Sequence, residues 1–297
     1  MASVNGGALR HHPMSRYERQ QLDEAQAALK AARTPDEREA AELRIVQLSD
    51  KYAEPNAIAY AFLRQVDKRN KVYAEAAQGI LDWITSDVMQ TGAGVKVDGL
   101  IRNGAGREGC SLDAQTRWIL ALGPREFMKA FDMNAKEYKA YLSRIEEEFG
   151  VTVEYEHEQK GLMDVSMFDI ACDFKASKRE DLEGGKSERV GFVEVTSEMI
   201  LAYKLSAKMF KDEESEMYDP DYAKTLDEKA GLYEKQIELL RNADGTLPQA
   251  TEKERDSGFG YYTIMGSRSL AALAQTDLTK IGENIHTPAS ESEATLP

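Results

Sequence analysis

The period of the hydrophobic residues changes near Gly150, and this change limits the folds that the chain can adopt. Before Gly150 the apolar residues follow helical spacing: Tyr138, Tyr141, Leu142, Ile145 and Phe149. After it, Val151, Val153 and Tyr155 alternate with polar residues, which is typical of a half-buried strand. The pattern therefore predicts a helix that runs directly into a strand.

Two shorter helices are predicted before this one. Ser111 can cap the first, Gly123 ends it, and Pro124 starts the second. A tight turn follows, in which Asp132 takes the left-handed position and Asn134 caps the next helix. The order helix, helix, turn, helix, strand is that of a winged helix-turn-helix unit.

Further elements follow the first strand. A second strand is predicted over 162–174 and a third over 190–195, and Ser197 is predicted to cap the next helix. We therefore expect an α+β fold that is mostly helical, in which a winged-helix-like unit with a small antiparallel sheet is flanked by N- and C-terminal helices.

The chain is expected to divide by composition into six regions. These are a flexible leader (1–14), an N-terminal helical region (15–90), a Gly-rich mobile linker (91–110), the winged-helix-like domain (111–210), an acidic helical region (211–286) and a disordered tail (287–297).

Charge and composition exclude several classes of protein. The 38 Lys and Arg against 52 Asp and Glu give a net charge of −14, which repels nucleic acid at long range. The sequence has no apolar run long enough to span a membrane and no secretory signal at its start. Two cysteines in 297 residues favour reduced thiols and a cytoplasmic location. No cofactor is expected.

Several runs resemble the first winged-helix domain of iteron-binding plasmid replication initiators. They are residues 141–149 (YLSRIEEEF), residues 151–155 (VTVEY), a turn at Gly161, and residues 189–205 (RVGFVEVTSEMILAYKL). The resemblance implies a winged helix that binds double-stranded DNA or dimerises, with a role in plasmid DNA replication. Members of that family carry a second winged helix, and we find no counterpart to it after Phe210.

Four basic residues are candidates for DNA contact in this unit. Lys136, Lys139 and Arg144 lie on the predicted third helix, and Lys160 lies at the tip of the hairpin. Residues 125–145 hold five basic and three acidic residues, although the whole chain is acidic. The leading hypothesis is therefore a non-enzymatic DNA-binding protein that forms homodimers.

Two other functions stay open. The winged-helix-like unit can serve as an interaction module in a structural or assembly protein, which the acidic charge and the helical arms favour. A magnesium-dependent nuclease is the third hypothesis, because four carboxylates fall on neighbouring predicted strands: Asp164, Asp169, Asp173 and Glu194.

Overall fold

The computed structural model describes residues 16–48, 53–66, 71–90, 94–96, 99–104, 109–170 and 189–251. Its elements in chain order are α1 (Arg16–Ala31), α2 (Pro35–Leu48), α3 (Ala53–Val66), α4 (Lys71–Ile84), a short 3-10 helix (Asp87–Met89), α5 (Leu112–Leu122), α6 (Pro124–Ala130), α7 (Ala135–Phe149), β1 (Gly150–His157), β2 (Gly161–Phe168), α8 (Val193–Lys211) and α9 (Pro220–Leu239). The predicted leader, the predicted tail and residues 252–286 lie outside this part.

The fold class is confirmed. The described chain is mostly helical, and β1 and β2 form a two-stranded antiparallel sheet. Val151 lies opposite Met167, and the hairpin closes where His157 meets Gly161. Gly161 has a φ of +78°, a left-handed conformation that glycine adopts without strain. None of the described helices is long and apolar enough to cross a membrane.

The turn between α6 and α7 has the predicted geometry. Asp132 has a φ of +50°, and the Met133 N–H donates to the Met128 carbonyl at 2.7 Å. The Asn134 side chain accepts hydrogen bonds from the N–H groups of Lys136 and Glu137, and the Glu137 carboxylate accepts one from the Asn134 N–H. This reciprocal capping box sets the start of α7.

The predicted third strand is wrong. Residues 190–192 form no strand, and a single bridge joins Phe192 to Ala250. Helix α8 already begins at Val193, so that Ser197 lies inside it and donates to the Val193 carbonyl at 2.7 Å. The first half of α8 is buried on nearly all sides. A helix that is buried on all sides lacks the amphipathic period of a surface helix. Its β-branched residues therefore give the same sequence pattern as a buried strand.

The Gly-rich stretch is not a loose linker where the structure describes it. Leu100, Ile101 and Cys110 are buried in the same core as α5 and α7. The Gln115 side chain on α5 accepts a hydrogen bond from the Ile101 N–H at 2.9 Å and donates one to the Ile101 carbonyl at 2.8 Å. This pairing ties the stretch to the helix that follows it.

Cys110 departs from the expectation of reduced thiols. It is buried and disulfide-bonded, and Cys172, the other cysteine of the chain, lies outside the described residues. Disulfides persist mainly in oxidising compartments. The bond therefore opposes the argument that the cysteine count makes for a cytoplasmic location.

Helix α8 lies at the centre of the C-terminal half. Helix α9 packs along it and also against β2, while α5 and α6 pack on α8 from other directions. The acidic helix that composition separates from the winged-helix-like unit is therefore packed against that unit.

Asn134→Ala tests the capping box. We expect the free energy of unfolding to fall by about 1 kcal/mol, because two N–H groups at the start of α7 lose their acceptor. Urea unfolding followed by circular dichroism measures this change. Ser143→Ala, on the exposed face of α7, is the control and should change stability by less than about half as much. Equal effects would show that the cap does not stabilise α7.

Candidate interaction surfaces

Helix α9 lies along α7 and then along the hairpin. Near its start, Asp219 meets Lys139 of α7, and further along Lys229 and Tyr233 both contact Glu146. The Gln236 side chain then accepts a hydrogen bond from the Ser166 N–H on β2 at 3.1 Å. One side of α7, the helix that carries three of the four predicted DNA contacts, is therefore covered by α9.

Lys139, a predicted DNA contact, lies in this covered side. Its ammonium group forms an ion pair with Asp219 at the N-cap of α9. The same nitrogen lies 4.7 Å from the centroid of the Tyr222 ring and 5.2 Å from that of Phe210. Its charge therefore holds α9 against α7, and the hydrogen bond from Lys139 lowers the pKa of Asp219.

Lys160, at the tip of the hairpin, binds the other end of α9. Its ammonium donates to the carbonyl of Leu239 at 2.7 Å and to that of Arg241 at 3.4 Å. The last carbonyls of a helix lack hydrogen-bond donors within the helix and carry partial negative charge. A lysine ammonium there donates the missing hydrogen bonds and neutralises that charge. The structure places this predicted DNA contact in a helix cap.

Lys136 and Arg144 are the two remaining predicted contacts. Lys136 is exposed in the first turn of α7, where a phosphate can approach it. Arg144 is also exposed, and its guanidinium forms an ion pair with Glu148 at 2.8 Å. Glu147 is exposed on the same helix. The open side of α7 therefore mixes both signs of charge and is not a basic strip.

The outer face of the hairpin is acidic. Glu154 lies directly opposite Asp164 on the paired strand, and Glu156 is exposed two residues further along. Neighbouring Thr152 and Ser166 bond through their hydroxyl groups at 3.0 Å. A wing with this surface repels phosphate groups, which opposes a role in DNA contact.

A carboxylate cluster surrounds Arg117 where α3, α5 and α8 meet. The guanidinium pairs with Glu54, with Glu194 at 2.9 Å and with Glu198 at 2.7 Å. Glu198 also accepts a hydrogen bond from the Thr116 hydroxyl at 2.7 Å. The cluster joins three helices through one cation, and sequence reasoning did not single it out because its members are far apart in the chain.

Burial raises the pKa of Glu198 to about 7, even though Arg117 and the Thr116 hydroxyl favour its charged form. Such a pKa suits a proton-transfer group. The side chain is, however, only 3% exposed, so a substrate does not reach it. The arrangement fits an anchor between helices and not a catalytic site.

The three described carboxylates of the nuclease hypothesis, Asp164, Asp169 and Glu194, do not lie together in a metal site. Asp169 is buried and accepts from the Ile170 N–H at 2.7 Å, with Arg189 3.6 Å away, whereas Glu194 pairs with Arg117. Asp164 lies on the open face of the hairpin, and Asp173 falls outside the described residues. Within the described ranges, no three His, Cys, Asp or Glu side chains are placed to hold a metal ion.

An apolar stripe lies exposed on α3. Ile58 and Phe62, one helical turn apart, are 55% and 64% exposed, while Ala53, Ala57 and Tyr60 of the same helix face the core. The sequence analysis predicted a helical region over residues 15–90 and did not separate the faces of this helix. The available signal was that α3 has apolar residues on more sides than a single buried face requires.

No protein-family model matches the sequence, and no curated protein matches it.

Glu198→Gln tests the cost of burying this carboxylate. Its folded pKa of about 7 lies above the ordinary value of 4.5, so the folded state binds the proton more tightly and this group stabilises the fold less as pH rises towards 7. The amide carries no such cost at either pH. Between pH 5 and pH 8 we expect the free energy of unfolding of the variant to gain about 2 to 3 kcal/mol relative to the wild type.

Thermal unfolding of both proteins at the two pH values measures this gain. Glu194→Gln removes a partly exposed carboxylate from the same arginine and is the control for the loss of one ion pair of Arg117. A wild type and Glu198→Gln variant that change in parallel with pH would contradict the raised pKa.

Proposed function

We propose that the chain is a non-enzymatic assembly protein that associates with a second copy of itself through its N-terminal helices. The observation that carries this proposal is the pair Ile58 and Phe62, whose apolar side chains stay exposed on α3. By contrast, α9 covers one side of α7, the helix that carries three of the predicted DNA contacts. Apolar area of this kind, side by side on one helix face, is typical of contact surfaces.

The hairpin of α1 and α2 supports a symmetric contact. These helices pack on each other, and neither packs to a similar extent on another described element. Leu22 and Leu29 of α1 are only half-buried within the pair. Two helices bury little apolar surface by themselves, whereas two such hairpins from two copies can form a four-helix bundle.

Charge distribution also favours contact through this region. Residues 15–90 hold eleven Lys and Arg against thirteen Asp and Glu, a net charge of −2, although the whole chain carries −14. Two copies that approach through their N-terminal helices therefore meet little of the repulsion that their acidic remainders exert.

Ile58→Lys/Phe62→Lys tests this contact. By sedimentation equilibrium we expect the wild type to reach twice the chain mass at micromolar concentration. The double variant should raise the dimer dissociation constant by at least roughly tenfold, because each apolar side chain that leaves the interface costs over about 1 kcal/mol.

Leu232→Lys is the matched control, because Leu232 is 48% exposed on α9, away from the proposed contact. It should leave the dissociation constant unchanged. A wild type that stays monomeric, or a double variant that dimerises like the wild type, would overturn the proposal.

Duplex DNA is the second candidate partner, and the turn before α7 favours it. The left-handed Asp132 and the Asn134 capping box are features that a helix-turn-helix unit needs, and Lys136 is exposed in the first turn of α7. Against it stand the acidic wing and the engagement of Lys139 and Lys160 by α9.

Fluorescence anisotropy with mixed-sequence duplex DNA separates the two candidates. If the assembly proposal holds, binding is absent at about 50 mM salt, whereas a protein that neutralises several phosphates binds there and weakens steeply by about 200 mM. Salt-sensitive binding that Lys136→Ala reduces would establish the DNA function instead.

Lys139→Ala is expected to act on stability and not on DNA. It should lower the free energy of unfolding by about 1 kcal/mol, because it removes a partly exposed ion pair and two ring contacts between α7 and α9. Urea unfolding measures this loss, and Lys136→Ala, on the open side of α7, is the control. Unchanged stability in Lys139→Ala would show that α9 does not depend on this contact.

A further inference from the structure

The backbone of β1 is paired with β2 along one edge, and no strand among the described residues pairs with the other edge. The Phe149 carbonyl, just before β1, accepts from the Asp169 N–H at 2.8 Å on the side of β2. The Gly150 carbonyl accepts from Arg189 on the opposite side. Successive residues of a strand point their backbone groups to alternate sides. Thr152, Glu154 and Glu156, like Gly150, therefore turn their N–H and carbonyl groups away from β2.

The two outer edges of the hairpin differ. On β2, the Ser166 N–H donates to Gln236 of α9 and the Phe168 N–H donates to the Thr196 hydroxyl of α8 at 3.0 Å, so side chains of two helices satisfy the 166–168 part of that edge. On β1, no described strand pairs with the outward groups of Thr152 and Glu154. An open strand edge readily pairs with another strand, and proteins usually cover it.

A groove of about 640 Å³ runs beside this open edge. Residues 150–154 of β1 form one wall, and Arg189, Val190 and Thr251 contribute the other. Because the strand backbone itself forms one wall, an extended segment in the groove can bond to it by β-strand addition.

The chain itself continues from the wall of this groove. Thr251, the last described residue, donates its N–H to the Gly191 carbonyl at 2.9 Å, and its hydroxyl oxygen accepts from the Gly191 N–H at 3.0 Å. After seven intervening residues comes the run Phe-Gly-Tyr-Tyr-Thr-Ile-Met at 259–265, between Gly258 and Gly266. Tyrosine, threonine and isoleucine are strong strand formers, and flanking glycines are typical of strand ends.

The connection is long enough for this run to return to β1. Residues 252–258, fully extended, span about 23 to 25 Å, which is close to the roughly 26 Å length of the eight-residue strand β1. Because Thr251 lines the same groove as residues 150–154, the run can reach this part of the β1 edge. Although the composition of residues 211–286 predicts helix as a whole, this short run departs from that pattern.

We propose that residues 259–265 add a third strand to the sheet by pairing with the outward edge of β1. The segment bonds to the backbone groups of Thr152 and Glu154 and fills the groove between β1 and Thr251. A two-stranded hairpin is only marginally stable by itself, so a third strand also stabilises the wing.

Amide hydrogen exchange of the full chain, resolved by residue with NMR, tests the proposal. We expect the N–H groups of Thr152 and Glu154 to exchange slowly in the wild type. In Thr263→Pro/Ile264→Pro they should exchange at least roughly tenfold faster. Of two consecutive strand residues, one points its N–H towards β1 in either register, so two consecutive prolines remove a hydrogen bond to β1 in both cases. The Val153 N–H, which points to β2, should stay protected in both proteins.

Glu291→Pro/Ser292→Pro places the same two prolines near the C-terminus and should leave all three amides at their wild-type rates. Fast exchange of Thr152 and Glu154 in the wild type would overturn the proposal. Protection that persists in Thr263→Pro/Ile264→Pro would assign the edge to another segment. Protection that grows with protein concentration would assign it to a second copy of the chain.

Discussion

The Gln115 side chain holds together three parts of the chain that sequence alone leaves separate. Its oxygen accepts from the Ile101 N–H and from the Tyr141 hydroxyl at 2.7 Å, and its nitrogen donates to the carbonyls of Ile101 and Ser111. All four hydrogen-bonding positions of the amide are therefore used in a fully buried place. A buried amide with a missing partner is costly, so the Gly-rich stretch, α5 and α7 are fixed in one arrangement.

Helix α9 extends this arrangement to the surface. Its first turn is held by Lys139 and its last carbonyls by Lys160, so both ends of one helix depend on lysines from the winged-helix-like unit. Basic residues near a helix-turn-helix usually indicate phosphate contact. Here three of the four predicted contacts, Lys139, Arg144 and Lys160, instead pair with partial or full negative charge within the molecule.

Local signals predicted the local structure well. The cap at Asn134, the left-handed Asp132 and the change of period at Gly150 each depend on residues within a few positions, and the structure has all three. The run at 190–195 failed because a helix buried on all sides and a strand buried on both faces produce the same apolar pattern.

The partners of charged residues were not predictable in the same way. Arg117 meets Glu198 from 81 positions away, and Lys139 meets Asp219 from 80 positions away. No pattern along the chain records such a pairing, because it depends on how α8 and α9 fold back onto earlier helices. The exposure of Ile58 and Phe62 was not predictable for a related reason. Which faces of α3 are covered depends on how this helix packs against α4 and α5.

The positions of the two tryptophans have a practical consequence. Trp118 is fully buried and donates its indole N–H to the Ala53 carbonyl at 2.9 Å, with the Tyr60 ring 5.7 Å away, and Trp83 is buried on α4. Both indoles therefore report on the junction where the N-terminal helices meet α5. The emission spectrum of the protein will register the undocking of α3 and α4, while melting of the hairpin or of α9 will leave it nearly unchanged.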